Sequence, residues 1–153
     1  MTSAPRRVVA GLDAQGKSCV VSDGPVTSAD TPGLNVFNLW TGRVTAVDNA
    51  APLEEGVAPF RVEQLAEPVY AMMYAEYAPG LGSDDPHMHF TDTADHFYVL
   101  EGEVVLVLES GEVILRAGDV GICRGVMHGW RNDSDRPAKL VTFVLPAAPL
   151  GGG

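Results

Sequence analysis

Positive charge is scarce in this 153-residue chain. Ten Lys and Arg face twenty Asp and Glu, a formal net charge of −10. Such a surface repels phosphate backbones and anionic headgroups, so no nucleic-acid or membrane partner is expected. Solubility accounts for most of the excess. Long apolar runs are also missing. No stretch approaches a membrane span, and "MTSAPRRVVAG" has no apolar core of a signal peptide, so a cytoplasmic location is expected. Cysteine is limited to Cys19 and Cys123, too few for a disulfide framework, and free thiols are expected. There is no G-x-S-x-G elbow, Walker loop, dinucleotide glycine fingerprint or C-x-x-C pair. Serine-hydrolase, nucleotide-binding and thiol-redox chemistries therefore have no foothold.

What is present is turn formers and short apolar runs. Gly and Pro contribute 17 and 11 residues, which favours short strands joined by tight turns. A hydrophobic fraction of 46% is enough for one core, and no linker divides the chain, so residues 1–153 are read as one domain. Residues 1–65 hold N-terminal strands and loops, and 66–146 the strand-dense core. "RRVVAGLDAQGKSCVVSDG" reads as a hairpin around "DAQGK". A short strand is expected near Val36 to Trp40, and "VYAMMYAEYAPG" reads as a strand stopped by Pro79 and Gly80. From His96 on, "HFYVLEG", "EVVLVLESGE", "VILRAGDVGIC" and "KLVTFVLP" follow at regular intervals, an all-β sandwich or barrel pattern. Their apolar runs predict strands covered on both faces.

Histidine is limited to four positions, and three of them, His87, His89 and His96, fall within ten residues. In an extended segment residues i and i+2 share a face, so His87 and His89 are expected to converge. Asp95 lies an even offset of six beyond His89 and can return to that face. His96 points the other way. His128, in "GVMHGW", comes from a separate strand. Two or three imidazoles with a carboxylate suit Zn, Fe, Ni, Mn or Cu without choosing among them. A single His is more often structural than ligating, and Asp95 alone reads as a turn residue; the combination carries the case. Trp130, two residues after His128, should wall the same pocket. Tyr70, Tyr74, Met72, Phe97 and Phe143 read as core or pocket wall. Arg124 and Arg131 could meet a substrate carboxylate, though pairing with surface acids is the plainer role.

These residues resemble the two motifs of the cupin family. Gly82 precedes "HMH", then Asp95, then the six residues "HFYVLE", then Gly102. "AGDVGICRGVMHGWRN" supplies Gly118, Gly125, His128 and Asn132 at the spacing of the second motif. The stretches "MHFTDTADHFYVLEGE", "RGVMHGWRNDSDRPA" and "RRVVAGLDAQGKSCVVSDG" are similar to a subgroup of small single-domain cupins. The resemblance implies an all-β, double-stranded jelly-roll barrel with an N-terminal hairpin. It also implies one divalent metal ion on His87, His89 and His128. Asp95 stands where the family has Glu, one methylene longer, after a longer gap from His89. That leaves Asp95 as a ligand, a residue behind the ligands, or a catalytic base. The implied function is a metal-dependent enzyme on a small molecule, by lyase or isomerase chemistry on an enolisable acid or polyketide-like compound. An Fe(II) dioxygenase and a non-catalytic binding protein are the alternatives. A homodimer through the hairpin, residues 6–22, is expected because a lone hairpin must pack on something.

Overall fold

The computed structural model describes residues 6–25, 28–31, 34–37, 63 and 66–150. Eleven strands run through them, and no α-helix occurs among the described residues. No helix there is long and apolar enough to cross a membrane. β1 (Arg6–Leu12) and β2 (Ser18–Pro25) form the expected hairpin. Its turn is held by Asp13, whose carboxylate accepts from the amides of Gln15 and Lys17. β3 (Ser28–Thr31) and β4 (Leu34–Phe37) pair with each other. The strand expected near 36–40 thus starts two residues earlier, and residues 38–40 lie outside the described ones. The remaining strands are β5 (Ala71–Tyr77), β6 (Thr93–Glu101), β7 (Glu103–Leu108), β8 (Gly111–Arg116), β9 (Val120–Arg124), β10 (His128–Arg131) and β11 (Ala138–Pro146).

Two sheets share one core. The larger has the order β2-β1-β9-β6-β11-β5 and the smaller β10-β7-β8. The hairpin joins its own chain's sheet, because β1 lies parallel to β9 with Arg7 opposite Val120 and Ala10 opposite Cys123. Val8 and Ala10 from β1, Phe97 and Val99 from β6, and Leu140 from β11 meet Leu106, Leu115, Val126 and Trp130 from the opposing side. Inward-facing residues alternate along β6, at Thr93, Asp95, Phe97 and Val99, as a half-buried strand requires. The register aligns Ala10, Cys123, Asp95 and Val144 in one inner row across four strands. Asp95 is the one ionisable oxygen acid of that otherwise apolar row.

The expectation of burial on both faces is corrected. Val9, Val120 and Ile122 form a small buried cluster outside the main core, but the same outward face carries Met72 at 71% exposure and exposed Tyr98, Leu100 and Phe143. Tyr70 and Phe143 stack on this surface with centroids 6.0 Å apart, so Tyr70, Met72 and Phe143 are neither core nor pocket wall. The side chain of Tyr74 lies outside what is described. Antiparallel sheets tolerate one wet face, and apolar composition alone does not reveal which face that is. Both cysteines are free, as expected.

Candidate metal centre

The site forms where the Pro86–His89 segment runs beside β10. The amide of His89 donates to the carbonyl of His128 and the amide of His128 to the carbonyl of His89, both at 2.9 Å, and the Trp130 amide donates to Pro86 O at 3.1 Å. Two glycines make this approach possible. A Cβ on Gly129 would stand 2.5 Å from Pro86 O. Gly82 has φ +74, in the region glycine alone enters easily, and a Cβ there would collide with Trp130 O.

The pairing brings the rings of His89 and His128 together, centroids 4.6 Å apart and inclined by 50°. Each ring is oriented by a backbone carbonyl two residues upstream. His89 Nδ1 lies 2.8 Å from His87 O, and His128 Nδ1 lies 2.8 Å from Val126 O. A carbonyl only accepts, so both Nδ1 atoms carry a proton, and in the neutral ring that leaves the lone pair on Nε2. This is the arrangement by which backbone groups set the tautomer of metal-binding imidazoles. His128 is buried at 3% exposure, whereas His89 is exposed.

Asp95 completes the constellation. It is buried, and Thr93 Oγ1 donates to its Oδ1 at 2.7 Å, with Thr91 Oγ1 2.6 Å from Thr93 Oγ1. Burial raises the Asp95 pKa, against the Thr93 hydrogen bond and the pull of the His128, His89 and His96 imidazoles. Burial likewise lowers the pKa of His128, helped by neighbouring His89 and opposed by the Val126 carbonyl and by Asp95. The carboxyl and the imidazoles therefore sense one another's charge across the inner face. Around them pack Phe97, edge-on to Trp130 at 4.8 Å, and Trp130 itself, edge-on to His128 at 6.2 Å. Trp130 and Phe97 also belong to the main core, and neither lines the depression beside His89.

His87 stands apart. Its backbone has φ +53, so the segment is not extended there and the i, i+2 convergence with His89 does not occur. Its amide donates to Asp85 Oδ1 at 2.8 Å, its Nδ1 lies 3.7 Å from Asp85 Oδ2, and its side chain is 80% exposed. Among the described residues no three His, Cys, Asp or Glu side chains gather closely enough to hold an ion. The structure assembles His89, His128 and Asp95 loosely and leaves His87 outside. His96 faces away, its Nδ1 3.3 Å from Phe143 O. Two imidazoles and one carboxylate are donor types that suit a divalent transition ion, and as placed here the three do not close on a single point. Beside them an open depression of about 1080 Å³, lined by His87, Met88, His89, Phe90, Asp92 and Pro146, leads from solvent to His89.

Three further residues escaped the sequence reading. Thr93 was legible as the i−2 neighbour of Asp95 on the same strand face. Gly129, between His128 and Trp130, carried the signal of a glycine inside a strand. Asn132, noted only as a motif position, is fully buried and holds the loop after β10. Its Nδ2 donates to Tyr77 O and Arg136 O, and its Oδ1 accepts from the amide and hydroxyl of Ser134. Arg131 pairs with Glu112 and Asp133, the plainer of its two expected roles.

The site is thus a two-sheet β-barrel with a buried carboxyl and a buried imidazole inside it and a second, exposed imidazole at its rim. The model of the Cupin domain matches residues 73–144. Phomopsin biosynthesis cluster protein D of Diaporthe leptostromiformis is 46% identical, over 82% of this chain and 78% of that protein. The Cupin-domain-containing oxidoreductase srdB of Neurospora crassa is 48% identical over 49% of this chain, which spans 38% of that protein's length. The solved structure of TT1209 from Thermus thermophilus aligns with 59% of this chain and 98% of that one, at a TM-score of 0.42 and 24% identity. The chain belongs to the cupin family, and its fold is the all-β jelly roll of that family.

Proposed function

We propose that the chain is a metal-dependent cupin enzyme acting on a small organic molecule, with one divalent ion held through Nε2 of His89 and His128. The observation that carries this reading is the orientation of the two imidazoles: both Nδ1 atoms are tied to backbone carbonyls and both Nε2 atoms are free, beside a buried carboxyl. The ion would supply Lewis acidity towards a substrate carbonyl or carboxylate. Asp95, whose pKa is raised by burial, exchanges a proton with the substrate carbon or oxygen. Phe97 and Trp130 exclude water from that exchange. Together these roles favour a lyase or isomerase step on an enolisable acid or polyketide-like compound. The second reading is an Fe(II) oxidoreductase, favoured by the name of the Neurospora crassa relative.

Elemental analysis of protein purified without a His tag tests both readings. Zn, Ni or Mn at one per chain supports proton chemistry, Fe supports oxygen chemistry, and failure to take up any divalent ion refutes both. The ligand set is tested by single substitutions. His89→Ala and His128→Ala are expected to lose most of the metal. His87→Ala is expected to keep most of it, and full loss there would return His87 to the ligands. Asp95→Asn is expected to retain the ion, and complete loss would make Asp95 a ligand instead of the proton carrier.

A further inference from the structure

Tyr77 stands at the end of β5. It sits on the inner face of the larger sheet, opposite Ala138 of β11, and packs against the main core. Its ring lies 5.7 Å from that of Trp130, which in turn lies 6.2 Å from His128. Trp130 is thus a neighbour of both the buried imidazole and the phenol. The Tyr77 hydroxyl oxygen is not among the buried polar atoms left without a partner, and no hydrogen bond ties it to a described residue, so solvent or a ligand can reach it. A phenol with its ring in an apolar wall and its oxygen accessible is placed to donate to a bound oxygen.

We propose that the Tyr77 hydroxyl is the hydrogen-bond donor for a carbonyl or carboxylate oxygen of the ligand bound at the His89–His128 pair. The assignment deepens the function proposed above and rests on it. It narrows the substrate to a molecule with two separated oxygen functions, one at the imidazole pair and one beyond Trp130. A donor without a fixed charge suits that place. A lysine there would neutralise Asp95, whereas a phenol binds an oxygen and leaves the carboxyl free for proton transfer. Burial and the charge of Asp95 push the phenol pKa up to about 12, so it keeps its proton through the neutral range.

The test is calorimetric titration of the full chain with malonate, succinate and glutarate, dicarboxylates of increasing length. Wild type and Tyr77→Phe are compared, each as purified and after loading with Zn(II). Tyr77→Phe keeps the ring on Trp130 and removes only the hydroxyl, so thermal stability and metal content are expected to match wild type. Wild type is expected to bind at least one of the three diacids. The substitution is expected to weaken that binding about tenfold or more, the range for a hydrogen bond to a charged oxygen. Equal affinity in the two proteins overturns the assignment, as does the absence of diacid binding in wild type. Failure of the metal reading appears separately, as wild type that holds no ion. The diacid comparison on ion-free protein then still decides whether Tyr77 binds an oxygen ligand.

Discussion

Replacing Gly129 by Ala asks whether the close approach of the Pro86–His89 segment builds the site. The added Cβ would stand 2.5 Å from Pro86 O and 3.0 Å from Met88 Sδ, whereas ordinary contact begins at 3.4 Å. The Pro86 carbonyl must therefore withdraw by about 0.9 Å, the gap between those distances. That movement stretches the 3.1 Å bond from the Trp130 amide past useful length and loosens the paired 2.9 Å bonds between His89 and His128. One lost hydrogen bond and the repacking of Met88 together cost about 2–3 kcal/mol. In a domain of this size that lowers Tm by roughly 4–12 °C. The effect on the ion is larger in consequence. Metal ligands tolerate displacements of only about 0.2 Å, so Zn(II) affinity is expected to fall about 10- to 100-fold. Competition with a chromogenic chelator measures the affinity and a thermal melt the stability. Gly24→Ala, where an added Cβ meets nothing within 4 Å, is the control and should change neither. Gly129→Ala with both quantities at wild-type values would refute the account of how His89 is positioned.

The pH dependence of the metal-free protein follows from the two buried titrating groups. Asp95 has a folded pKa raised above its ordinary 3.8. Its contribution is fully present below that value and is lost as pH rises through the folded pKa. Asp95→Asn is therefore expected to stabilise the metal-free chain at pH 7 and to lose that advantage in acid, as urea titrations at several pH values would record; lower stability at pH 7 contradicts the burial argument. His128 has a folded pKa lowered from 6.5, so its contribution is present above 6.5 and lost as pH falls. Metal-free wild type should weaken on acidification through the neutral range, and His128→Gln should flatten that slope. Asn132→Ala removes four hydrogen bonds from a fully buried site and should cost about 3–4 kcal/mol by urea denaturation; a loss below about 1 kcal/mol would mean that water replaces the amide. A second copy is expected to pair at the edge of β2, which has one strand neighbour among the described residues and exposes Val20 and Val21; the interface would then hold the β2 half of the hairpin, since β1 is already paired on both sides within its own sheet. Light scattering should give a dimer for the full chain and a monomer for Val21→Lys, and a monomeric wild type at micromolar concentration refutes the interface. Truncation near Pro25 is not a clean test, because β1 buries Val8 and Ala10 in the core.

The strands were legible because each carries its own evidence. "EVVLVL" is β-branched and apolar with a Ser-Gly stop, and β7 ends at Leu108 just before that turn. Aspartate in "DAQGK" announces the turn it caps. Alternation along "TADHFYVLE" was enough to put Asp95 inside and His96 outside, and spacing marked His128 and Trp130 as companions. Sequence by itself thus determined the strand order along the chain, the family, and which four or five side chains to watch. It could not determine which sheet face stays wet. Met72, Tyr98 and Phe143 are as apolar as Val99 and Leu140, and only the position of the second sheet separates them. Nor could it place His87. The rule that i and i+2 share a face assumes an extended backbone, and at His87 the backbone is left-handed and held by Asp85. Tyr77 and His128 lie 51 positions apart in the chain and are joined only through the ring of Trp130. Local propensity acts over a few residues and is written in the sequence. Convergence of distant strands depends on sheet register and glycine contacts, which exist only once the tertiary structure has closed.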